Sequence, residues 1–161
     1  MGIIGITRAE VLRLIAAAAG GIEEAAGDAY RYGHATPTGI QSTSTFVPAD
    51  LDLVANHLHG FSLVNGDTLR YDGTSTRSFV VQGVVGLTAG NNEELMAAIA
   101  VNGSVGASIS YLSTGGGGRV TGAPLLLHTE LDPGDEVTIH VANLSAVNDI
   151  TVEDCYLLVH S

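Results

Sequence analysis

His57 and His59 stand two residues apart, and on a strand that spacing turns both imidazoles to one side, where they could begin a metal site. A metal site needs at least a third donor. No third ligand is recognisable from spacing, and the nearby Asp50 and Asp52 fit equally well as solvated loop charges, so neither a metal nor a cofactor is expected. His128 and His140 flank Asp132-Pro133-Gly134-Asp135 and would pair across a hairpin there. As a general base and its partner they lack a Ser or Cys nucleophile held in a strained turn. Gly103-Ser104-Val105-Gly106 opens a strand after an Asn-Gly turn and no helix follows, so it is no nucleophile elbow. The Gly115 to Gly118 run lacks the Lys and the following helix of a phosphate loop and reads as a flexible hairpin tip. Asn102-Gly103-Ser104 and Asn143-Leu144-Ser145 match the glycosylation sequon, which carries no weight without a secretory signal. With no nucleophile and base set, the chain is read as a non-enzyme with no catalytic residue.

Any such residues would have to be positioned by β-structure. The chain has 161 residues, of which 21 are Gly, spread through turn-like positions without a collagen period. That distribution points to many tight turns and an all-β domain. Hydrophobic residues make up 45% and charged residues only 14%, little for a protein that must cover its own outside, so partners are expected to bury some of its surface. The formal charge is −11 and all six basic residues are Arg, which excludes nucleic acid as a partner, because phosphate binding needs clustered cations. No membrane partner is expected either. Met1-Gly2-Ile3-Ile4 has no basic region, Glu10 and Arg13 interrupt the apolar run after it, and Ile6 stands where myristoylation wants Ser or Thr. The single Cys155 reads as a small buried hydrophobe on the last strand.

The stretch Ala123 to Val141 is the clearest organiser: Leu125, Leu127, Thr129 and Leu131 share one face, as do Val137, Ile139 and Val141 after a Pro-Gly turn of type II chemistry. It reads as two strands folded back on each other. Phe61 to Val64 and Thr68 to Tyr71 form another pair about Asn65-Gly66, the strongest short hairpin signal, while Thr45 to Val47 with Leu51 to Val54 is a weaker candidate. Phe79 to Leu87 alternates cleanly, and Asn102-Gly103 turns Glu94 to Val101 into Ala107, Ile109 and Tyr111. Ile150 and Val152 share one register and Cys155, Leu157 and Val159 the next, so a bulge is expected at Glu153-Asp154. About eight strands at this spacing predict a mainly β, jelly-roll β-sandwich.

The Glu94 to Val101 strand is apolar on both faces: Leu95, Ala97, Ile99 and Val101 take one and Met96, Ala98 and Ala100 the other. A sandwich strand should keep a wet side, so Met96, Ala98 and Ala100 are assigned to a contact between subunits. Ahead of the sandwich, residues 1–40 read as an N-terminal helical arm and residues 41–161 as the jelly-roll domain. Thr7 and Glu10 form a capping box, and Val11, Leu14, Ile15 and Ile22 recur at helical spacing before a second short turn from Ile22 to Tyr32. The helix has little polar surface, so it packs on its own barrel, on copies of itself or on another protein. Gly33 to Ser44 reads as a linker or extended arm.

Asp67 to Gly73 (DTLRYDG), Ser78 to Val81 (SFVV), Ala100 to Gly103 (AVNG), Leu131 to Val137 (LDPGDEV) and the closing ITVEDCYLLV together resemble the trimeric jelly rolls shaped like tumour necrosis factor and the complement globular head. More narrowly, the likeness is to the versions in virion proteins of tailed viruses, over roughly Ser44 to Ser161. The resemblance implies a tight homotrimer that works by binding. It suggests a bacteriophage capsid decoration protein on the virion surface, with the major capsid protein as partner. Val11, Leu14, Ile15 and Ile22 of the arm would make the capsid attachment. The alternative is the receptor-binding tip of a tail or head fibre. With no Trp and no stacking platform of rings, the sequence favours that alternative less.

Overall fold

The structure, a computed structural model, describes residues 25–161. Within them the chain forms β1 (Ala26–Arg31), β2 (Val47–Pro48), β3 (Val54–His59), β4 (Phe61–Val64), β5 (Thr68–Tyr71) and β6 (Arg77–Thr88). It continues as β7 (Glu94–Val101), β8 (Ser104–Ser113), β9 (Arg119–Leu131), β10 (Glu136–Asn143) and β11 (Thr151–His160). A short 3-10 turn at Gly115–Gly117 precedes β9. The strands make two antiparallel sheets, the first in the order β3-β1-β11-β6-β9 and the second β4-β5-β10-β7-β8, with β2 also paired to β10.

The core lies between the sheets and is filled by the inward residues of each alternating strand. Phe79, Val81, Val85 and Leu87 of β6 face Leu69, Ile99, Ile139 and Val141 from the other sheet in one buried cluster. Three rings cross the gap: Phe61 and Tyr71 from the second sheet meet Phe79 from the first, with centroids 4.9 to 5.5 Å apart. Gly27 of β1 suits this packing, since a Cβ there would stand 3.0 Å from the ring of Phe61 and the ring would have to give way.

Several local expectations hold. Asn65-Gly66 joins β4 to β5 and Asn102-Gly103 joins β7 to β8, all four residues at positive φ as a type I′ turn demands. The bulge falls between Val152 and Asp154. The sandwich itself is as expected, but it has eleven strands in the described residues where about eight were counted.

Three expectations are corrected. The Ala123 to Val141 stretch is no hairpin: β9 pairs with β6 in the first sheet, while β10 pairs with β7, β5 and β2 in the second. The turn at Asp132–Asp135 carries the chain from one sheet to the other. A strand facing the core from above and one facing it from below alternate alike, so periodicity could not tell a sheet-switching turn from a hairpin. Second, the Ile22 to Tyr32 segment is not helical from Ala26 on; β1 lies inside the first sheet between β3 and β11. Third, Gly33 to Ser44 is no loose linker. His34 N donates to Glu153 O at 2.8 Å, Thr38 bridges Ile150, and Ser44 N donates to Asn143 O at 2.8 Å. The sandwich therefore begins near Ala25 rather than at Gln41.

Burial of His140 on β10, at 6% exposure, holds its imidazole below the ordinary pKa of 6.5. The unfolded chain then takes up the proton more readily than the folded one, so stability is lost as pH falls below about 6.5. Urea midpoints should drop between pH 7.5 and 5, and His140→Gln should remove part of that pH dependence.

Candidate functional site

Register places the outward side chains of the first sheet in rows. In one row Val54, Tyr30, Tyr156, Val84 and Pro124 follow each other across β3, β1, β11, β6 and β9. In the next, His57, Asp28, Leu158, Gln82 and Leu126 do the same. This outer face is unusually apolar for one left open to water: Tyr32 is 69% exposed, Leu126 47%, Val54 46% and Val84 44%. Tyr32 packs its ring 5.4 Å from that of Tyr30. Tyr32, Val84, Gly86, Gly122, Asp154 and Tyr156 surround a hollow of about 450 Å³. Burial, and then the negative charge of Asp28 beside it, push the Tyr156 phenol above its ordinary pKa, so it stays a neutral, amphipathic ring.

His57 and His59 do share one side of β3, exposed on this same face. The register also brings His160 and His128 into the row of His59, with Ala26 and Val80 between them. Among the described residues no three His, Cys, Asp or Glu side chains converge to hold a metal. Asp50 and Asp52 are not merely solvated: His34 Nε2 lies 3.0 Å from Asp50, and Arg31 pairs with Asp52 at 3.1 Å. With Asn65 and Asp67 they line a polar hollow of about 480 Å³ at one end of the sandwich. His128 and His140 cannot pair, because they sit in different sheets, the first exposed and the second buried.

The single chain leaves Met96, Ala98 and Ala100 little surface for the subunit contact assigned to them. In the single chain Met96 is 7% exposed and both alanines 0%, so they have almost no surface to give a neighbour. Each is hemmed in by cross-strand neighbours: Tyr111 and Ala142 flank Met96, and Ile109 and His140 flank Ala98. Val11, Leu14, Ile15 and Ile22 lie outside the described residues. The residues that the sequence reading missed are Tyr32, Val84, Leu126 and Tyr156. Their signal was present in β6 and β9, where Val80, Val84 and Leu126 occupy the positions between core residues that an exposed sheet would fill with polar groups.

Cys155 borders the same hollow but is 2% exposed, and burial pushes its thiol up to about 12. At pH 8 the reactive thiolate is scarce. The folded protein should therefore resist iodoacetamide at that pH and become labelled only in denaturant; rapid labelling of native protein would show that the strand opens there.

No family model matches the chain, and no curated protein matches it in sequence. Solved structures do match. A crystal structure of murine APRIL at pH 5.0 superposes with a TM-score of 0.55 at 11% identity, over 86% of this chain and 99% of that one. A second, at pH 8.5, gives 0.55 at 12% identity over 84% and 99%. The sandwich is thus a jelly roll of the tumour-necrosis-factor type.

Proposed function

We propose that the protein is a homotrimeric structural protein of a bacteriophage virion that decorates the capsid surface, working by binding rather than catalysis. The observation that carries the assembly half is the open apolar face of the first sheet, where Tyr32, Val84 and Leu126 stand exposed together. Threefold association buries that face and leaves the loops at the sandwich ends for other contacts. The capsid half is supported by the resemblance of the turn and core motifs to virion jelly rolls. It is also supported by the apolar helical pattern of Val11, Leu14, Ile15 and Ile22, which repeats three times in a trimer and so gains avidity from weak single contacts. Full-length protein carrying Leu14→Glu and Ile15→Glu should remain trimeric yet lose binding to virus particles stripped of it. Undiminished particle binding by that variant would contradict attachment through the arm. The polar hollow of Arg31, His34, Asp50 and Asp67 favours a second reading, a fibre tip holding a host glycan. Glycan-array binding lost in Asp50→Ala would select it.

A further inference from the structure

We propose that Asn65 is a site of spontaneous modification, its amide being converted to a carboxylate in the folded protein, while the same dipeptide at Asn102 is held back. The step is intramolecular. Gly66 N attacks Asn65 Cγ, the new C–N bond closes a cyclic imide, and the side-chain nitrogen leaves as ammonia with the proton that Gly66 N gives up. Water then adds to either imide carbonyl and opens the ring, giving aspartate or the isomer whose main chain runs through the side chain. Glycine after the asparagine favours closure, because no Cβ stands in the path of its nitrogen.

The molecule contains its own control. Asn65-Gly66 and Asn102-Gly103 close their hairpins with nearly the same backbone, φ being 52° and 78° in the first and 50° and 76° in the second. What differs is the hold on the amide. Asn102 Nδ2 donates to Asp135 Oδ1 at 2.7 Å, Asn102 Oδ1 accepts from Glu136 N at 2.9 Å, and Asn102 N donates to Glu136 O at 2.8 Å. Both side-chain bonds must break before that ring can close. Among the described residues nothing holds the exposed Asn65 amide. Leu53 N donates to Gly66 O at 2.5 Å, on the far side of the glycine from the nitrogen that reacts. Two bonds that must be broken first, one of them to a carboxylate, slow a reaction by about tenfold or more.

The conversion changes what this end of the sandwich presents. Asn65 lines the polar hollow with Arg31, His34, Asp50, Asp52 and Asp67. Asp67 Oδ1 there accepts from Leu51 N at 2.8 Å and from Asp52 N at 3.0 Å. A carboxylate at position 65 joins the three already lining the hollow, and the isomer also lengthens the turn by a main-chain atom.

Incubating the full-length protein in mildly alkaline heavy-oxygen water, once folded and once in guanidinium chloride, and mapping its peptides by mass spectrometry tests the proposal. In the folded protein the labelled carboxylate should accumulate at Asn65 about tenfold or more faster than at Asn102. In denaturant the two should react at similar rates. Folded Asn65→Gln should fail to accumulate the more acidic form on isoelectric focusing. Conversion of folded Asn102 as fast as Asn65, or a folded Asn65 that keeps its amide while the unfolded one loses it, overturns the proposal. So does an unfolded chain that preserves the difference, which would place it in the neighbouring residues rather than in the hydrogen bonds.

Discussion

Tyr71→Ala is expected to lower the unfolding free energy by about 3–5 kcal/mol, the range for truncating a large buried ring. Tyr71 is 1% exposed and its ring lies 5.3 Å from that of Phe61 and 4.9 Å from that of Phe79, so the deletion empties the place where the two sheets meet. Its hydroxyl donates to Ser75 O at 3.0 Å. Its backbone holds the sheet-switching turn, since Tyr71 N donates to Asp135 O at 2.8 Å and accepts at its carbonyl from Gly134 N at 2.7 Å. Tyr71→Phe keeps the ring and loses one hydrogen bond, and should cost about 1 kcal/mol. Urea unfolding of both variants separates the contributions: a similar loss in each would mean that the hydroxyl, not the ring, matters.

Glu93→Ala should cost about 3 kcal/mol or more, because it removes a charged acceptor from a buried set of donors. Glu93 is 6% exposed and accepts from Gly90 N at 3.0 Å, from Asn143 Nδ2 at 2.7 Å and from Asn148 Nδ2. Asn143, fully buried, in turn accepts from Ser145 N at 2.9 Å and Ala146 N at 3.0 Å, while Thr114 Oγ1 donates to Gly90 O at 2.7 Å. The loops after β6 and β10 are thus tied to one carboxylate, and Thr114 after β8 to the backbone beside it. Without it Gly90 N is left unpaired and Asn143 keeps only Asn148 O at 3.3 Å for its amide nitrogen. A fall in urea midpoint at unchanged m would confirm a stability loss in a single cooperative unit, whereas a changed m would place the effect in partial unfolding of that end.

What could be read from the chain was what is local. The Asn65-Gly66 and Asn102-Gly103 hairpins follow from residues that tolerate positive φ, and the Glu153-Asp154 bulge from a break in period two. Pairing between distant strands was not legible at Asp132–Asp135, because the same turn chemistry serves a hairpin and a change of sheet. β1 was hidden for another reason: the inward positions in and just before it, Ala25, Gly27 and Ala29, are small, with Gly27 against Phe61, and such residues give no apolar alternation that distinguishes a strand from a frayed helix. The site was half legible. A second apolar face was sought in β7, where both faces prove to be covered by the chain itself; whether a face is covered depends on its neighbours in space, which a strand's own pattern does not contain.

The central claim is that the outer face of the first sheet joins copies of this chain. Sedimentation equilibrium of the full-length protein at micromolar concentration, beside Val84→Arg, tests it most directly. Val84 is 44% exposed in the single chain, so the substitution leaves the core alone while placing a cation on the face of every copy. The account predicts the mass of three chains for the native protein and of one folded chain for the variant. A native protein that sediments as one chain, or a variant that stays a trimer, would contradict it.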